Sequence, residues 1–182
     1  MSLSRSLVSR VALLVSAGCL LGAPAAHAHG SRCPGADTAP TAHNLRQERA
    51  ATLCLLNAQR AARGLRPLRA NARLALAAER HSADMVVRHY FAHVAPSGLD
   101  PLARLERIGY VAGSGSWTVG ENIAWGRGPL AKPRAIVKMW MHSPGHRENI
   151  LRGAFREIGV GVIASAPDGP GATYTTDFGA RG

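Results

Sequence analysis

The chain has 182 residues, 46% of them hydrophobic, and a formal net charge of +11 from 22 basic against 11 acidic side chains. This is the size of one ordinary domain with its own core. The excess of base does not make it a nucleic-acid binder. Aromatic residues are only 5% of the chain, too few to interleave with the arginines as stacking platforms. No internal repeat or low-complexity segment is visible.

In chain order, Arg5 and Arg10 form a basic front, Val11 to Gly22 an apolar run, and Ala26-His27-Ala28 a small-x-small cleavage site. The pattern predicts a secretory signal over 1–28, cleaved after Ala28. Its apolar run is shorter than the roughly 20 residues a membrane span needs. The expected location is outside the cell, secreted or held at the envelope. Loss of Arg5 and Arg10 lowers the formal charge by two, to +9. Gly18-Cys19 hints at a lipoprotein signal, but Ser16 stands where such signals carry a leucine-like residue, so Cys19 is expected to leave with the leader.

Cys33 and Cys54 remain, and an even pair in an exported chain predicts a disulfide. Cys33 lies in a Pro/Gly/Ser-rich arm over 29–43, Cys54 in a helical pattern. The bridge would staple the arm to the helix, worth about 3 kcal/mol by the chain-entropy model. The domain itself is placed at 44–182. From Asn44 a stripe of Leu45, Arg49, Leu53, Leu56 and Arg60 recurs at helical spacing and ends at Gly64. Asn71 is placed to cap a second helix running to about His89, with Leu74, Ala77, Ala78, His81 and Met85 on its buried face. His81 on that stripe reads as a hydrogen-bonded core histidine. Arg60, Arg63, Arg66, Arg69 and Arg73 gather around the junction of the two helices, either as a solvated face, the favoured reading, or as a patch for anionic wall polymers or lipid head groups.

Pro101 opens a short helix with Leu102, Leu105 and Ile108, ended by Gly109. Residues 113–120 read as a flexible loop. Lys132 to Met141 is amphipathic again. After it, Ser143 is a good N-cap and Pro144 suits the first helical position, so His146 falls in the first turn of a new helix. The positive end of that helix favours a neutral, metal-competent imidazole. His142 precedes the cap and does not share the face, and no His-Glu-x-x-His zinc motif is present. The last third changes period. Ile158, Val160 and Val162 alternate with Gly159, Gly161 and Ile163, Tyr174, Thr176 and Phe178 alternate likewise, and a glycine- and proline-rich turn joins the two strands. Glycines on one strand face would admit a close backbone. Helices first and strands last imply an α+β fold with the sheet covered by helices. Taken singly, His93 is a loop histidine and Glu121 a surface acid or turn residue.

Several phrases together resemble the CAP superfamily, the secreted domains related to pathogenesis-related protein 1, sperm-coating (SCP) and cysteine-rich secretory proteins. They are Leu56-Asn57 with Arg60, His81 to Met85, Phe91 to Pro96, Gly120-Glu121-Asn122-Ile123, Ser143-Pro144-Gly145-His146 with Arg147 to Leu151, Ile158 to Gly161, and Tyr174 to Gly179. The Ser-Pro-Gly-His segment is closest to bacterial members. The resemblance implies a three-layer α-β-α sandwich around a central, mainly antiparallel sheet. It also implies a cleft lined by two histidines and two acids. Carried over, His93 matches the first histidine, Glu121 the acid of the Gly-Glu-Asn phrase and His146 the second histidine. The remaining acid is expected a few residues after Trp140, where this chain has His142 or Ser143. Ser143 is therefore assigned to the cleft and the constellation is one acid short.

Three functional classes follow. The first is a secreted, monomeric binding module whose cleft holds a small ligand or a divalent metal, zinc for preference, on His93 and His146. The second is a metal-dependent hydrolase or peptidase with Glu121 as general base, implied because the resemblance extends to members for which proteolysis has been proposed. The third is a binder of lipids, sterols or cell-envelope polymers.

Overall fold

The computed structural model describes residues 33–182. The signal predicted over 1–28, with Cys19 and the cleavage at Ala28, lies outside the described residues. In order, the elements are α1 (Leu45–Ala61), β1 (Arg69–Ala70), α2 (Ala72–Val87), α3 (Pro101–Arg107), β2 (Trp117–Gly126), α4 (Pro133–His142), α5 (Pro144–Leu151), β3 (Glu157–Ile163) and β4 (Ala172–Arg181). The sheet runs β1-β3-β4-β2, parallel only between β1 and β3. α2 covers one face, while α1, α4 and α5 cover the other. This is the three-layer α+β sandwich expected.

Local chemistry sets the helix ends. The Asn71 side chain accepts from the amides of Arg73 and Leu74, and Asp100 does the same for Ala103 ahead of Pro101. Asn44 stands at the start of α1, but its side chain accepts from Thr41 N–H and donates to the Ala39 carbonyl instead of capping. The arm is tied down twice. Cys33 is disulfide-bonded to Cys54, and Asp37 takes a two-pronged ion pair from Arg134 at 2.8 Å.

The glycines of β3 have the role their alternation predicts. A Cβ on Gly159 would land on the Leu74 carbonyl carbon, and one on Gly161 on that of Ala78. The backbone of α2 therefore lies directly on the sheet, with the small side chains Ala77 and Ala78 beside it. The opposite face carries the larger core: Leu56, Trp140, Ile150, Phe155, Tyr174 and Phe178 are fully buried, and Trp140 Nε1 donates to the Ile123 carbonyl at 3.0 Å.

Two expectations are corrected. The loop predicted over 113–120 gives way at Trp117 to β2, a ten-residue edge strand paired with β4. Its glycines masked the alternation, and its order comes from β4. Arg60 is not part of a solvated arginine cluster. It is fully buried, donating from Nε to the Arg66 carbonyl and from Nη1 to those of Ile150 and Arg152, at 2.8–3.0 Å. It pins α1 to the end of α5.

Candidate functional site

β2 is an edge strand, and its alternate residues reach opposite layers. Gly120 and Asn122 face α5: the Asn122 side chain donates to the His146 carbonyl, and Asn149 donates to both Asn122 Oδ1 and the Glu121 carbonyl. A Cβ on Gly120 would press on Phe155 and Asn149. This latch seats the start of α5 against β2. Glu121 points to the other layer, where it is 7% exposed. It is no surface acid.

Three cationic or titratable groups surround it. Its Oε1 meets His93 Nδ1 at 2.7 Å and lies 3.9 Å from His81 Nε2, and its Oε2 accepts from the Arg104 guanidinium. Arg104, from the last turn of α3, also donates to the carbonyls of His93 and Leu99. One guanidinium thus fastens both the histidine loop and the acid. Burial alone would push the Glu121 carboxyl up, but the His93 hydrogen bond and the Arg104 charge outweigh it and leave it below the ordinary range. His93 itself is half exposed. With Nδ1 on the carboxylate, its Nε2 is free for a ligand. His93 and Glu121 border an open depression of ≈ 380 Å³ together with Asp100, Leu102 and Val119.

His146 arrives from the opposite layer on α5. Burial, and then the neighbouring charge of His93, lower its pKa, so the ring is neutral. Its Nδ1 is buried without a hydrogen-bond partner. Ser143 takes the N-cap position, but its hydroxyl makes no capping bond, and it does not border the depression. His81 is a core histidine, as its stripe predicted: Nε2 lies 3.0 Å from the Ala92 carbonyl and Nδ1 3.4 Å from the Tyr90 hydroxyl. His142 ends α4 exposed, with Nδ1 on the Lys138 carbonyl.

Sequence reasoning passed over two members of this network. Arg104 was hidden among many arginines. Asp177 sits directly opposite Glu121 in the β2–β4 register, 1% exposed, with neither oxygen hydrogen-bonded. Burial first, and the Glu121 charge second, push its carboxyl well above the ordinary range. Both causes favour its neutral form beside the Glu121 carboxylate. Its signal was the alternation of β4: the face opposite Tyr174, Thr176 and Phe178 carries Thr173, Thr175 and Asp177. A second acid thus does stand beside Glu121, supplied by β4 and not by the segment after Trp140.

Among the described residues, no group of three or more His, Cys, Asp or Glu is arranged to hold a metal ion. Glu121, held by a guanidinium, does not fit as a metal ligand. The His93–carboxylate pair does fit the arrangement that orients a metal-binding imidazole.

Residues 53–176 match the family described as CAP, the cysteine-rich secretory protein family. The chain is 38% identical over 124 residues to the uncharacterized Bacillus subtilis protein YkwD, a span covering 68% of this chain and 44% of that one. It therefore spans less than half the length of that relative. It also superimposes on an extracellular SCP-domain protein of Bacillus anthracis with a TM-score of 0.61 at 29% identity, covering 76% of this chain and 43% of that one. An outer surface protein of Borrelia burgdorferi shares the fold, with a TM-score of 0.59 at 19% identity over 71% of this chain and 90% of that one. With its motifs in order, its sandwich complete and most of its length matched, the chain belongs to the CAP, or cysteine-rich secretory protein, family.

Proposed function

We propose that this protein is a secreted binding module whose ligand is held by His93 and His146, one from each side of the edge strand β2. The observation that carries this reading is the arrangement of His93. A buried carboxylate takes its Nδ1 and leaves Nε2 without a protein partner, on a ring that borders an open depression. An imidazole oriented in that way is prepared to donate a lone pair outward. His146, whose pKa burial and then the His93 charge lower, supplies a second nitrogen. Two imidazoles suit a divalent cation, zinc before calcium, at Zn–N distances of about 2.0–2.1 Å. With only two protein nitrogens the affinity is weak.

Binding is favoured over hydrolysis because both Glu121 oxygens are engaged, one by His93 and one by Arg104. A carboxylate so held, with its pKa lowered, is a poor acceptor for a proton from water.

Calorimetric titration with zinc chloride tests the reading. Wild type should bind one ion saturably, and His93→Ala and His146→Ala should each abolish it. No heat from wild type, or undiminished binding in both variants, overturns the assignment.

A further inference from the structure

A second cavity of ≈ 330 Å³, bordered by Arg104, lies between α2, α3 and the loop joining them. Its charges are one-sided. Arg80 comes from α2 and Arg88 from its C-cap, Arg104 and Arg107 from α3, against the single acid Asp84. That carboxylate already accepts from the Tyr90 hydroxyl at 2.5 Å and lies 3.8 Å from Arg88. Arg80 and Arg107 have no carboxylate within ion-pair distance among the described residues. Like charges drawn around one concavity repel in the free protein and are relieved by an anion.

Arg104 supplies an independent observation. Its side chain is 10% exposed, its Nη2 is on Glu121, and its Nη1 is on the carbonyls of His93 and Leu99. Its Nε–H is buried with no acceptor. A solvated arginine face does not leave a donor buried and unpaired. The remaining lining includes the apolar side chains of Leu99 and Ile108 and the hydroxyl of Ser97.

We propose that this cavity is an anion site for a small phosphate-bearing molecule, with its phosphate among Arg80, Arg88 and Arg107 and an oxygen accepting from Arg104 Nε. Phosphate suits it better than a carboxylate. Three arginines converging from two helices exceed what two coplanar oxygens can accept, whereas a tetrahedral dianion offers oxygens on several sides. The apolar floor accommodates an organic substituent. The source is either a free phosphate ester or a lipid head group, and the site is independent of the metal reading of His93 and His146.

The test titrates the full chain with inorganic phosphate and, separately, with dihexanoyl phosphatidic acid below its micelle concentration. Binding is followed by calorimetry and by the Arg104 Nε–H resonance. Saturable one-to-one binding with a shift of that resonance is expected for at least one probe. Phosphate binding identifies a free anion as sufficient, and binding of the lipid alone identifies a head group. Arg80→Gln with Arg107→Gln should weaken binding roughly tenfold or more. The charge-matched control, Arg63→Gln with Arg73→Gln, removes two exposed arginines away from the cavity and should leave it unchanged. No saturable binding of either probe, or equal weakening by both double variants, overturns the proposal. All four positions are exposed, so loss of folding does not cloud the result.

Discussion

Two buried charges divide this molecule, Arg60 on one side of the sheet and Glu121 on the other. Arg60 donates to the carbonyl oxygens of Arg66, in the loop after α1, and of Ile150, Arg152 and Phe155, at and beyond the end of α5. Its surroundings are complete. Glu121 is surrounded by groups that titrate or remain unpaired: His93, His81, Asp177, and the lone Nε of Arg104. Burial alone therefore does not mark a functional residue. A satisfied buried charge is a fastening, whereas an incompletely satisfied cluster beside an opening is a candidate site.

The contrast makes graded predictions. Arg60→Leu should be the most damaging single change, at about 3–5 kcal/mol in urea unfolding, because several buried carbonyls lose their donor at once. A loss below about 1 kcal/mol would mean that those carbonyls find other partners. Next, Cys33→Ser with Cys54→Ser should cost about 3 kcal/mol, since the bridge closes a separation of 21 residues. On the Glu121 side the effects should fall on binding. Glu121→Gln should weaken zinc binding about 10- to 100-fold by releasing His93, with a smaller change in stability. Unchanged affinity would show that the carboxylate does not orient the ring.

Asp177→Asn should act through pH. An aspartate with a raised folded pKa binds its proton in the folded state after the unfolded chain has lost it. It therefore costs stability as pH rises above its unfolded value of 3.8 and toward the folded one. The asparagine variant should gain on wild type between pH 4 and pH 7 in thermal unfolding. A gain in the opposite direction would mean that Asp177 is ionised. The smallest effect is expected at the exposed ion pair of Arg127 with Asp168, where Asp168→Asn should change stability by about 0–1 kcal/mol.

Much of the fold was legible because its signals are local. Asn71 caps where its side chain can reach the next turn, and Pro101 opens α3 at its first position. The alternating glycines of β3 announced that a backbone would approach closely there, and the structure makes it that of α2. β2 was not legible, because glycine and polar residues break its alternation and β4 orders it from outside.

The sequence by itself determined the main helices and the β3–β4 pair, the pairing of Cys33 with Cys54, and the phrases that place His93, Glu121 and His146 in one family pattern. Only the tertiary structure decided that Glu121 is buried, that Asp177 stands opposite it, that Arg104 holds the acid and the histidine loop together, and that Arg60 is a fastening. The physical reason is range. Caps and periodicities act within a few residues, whereas ionisation and burial depend on which distant side chains the sheet register and the helix layers bring within a few ångströms.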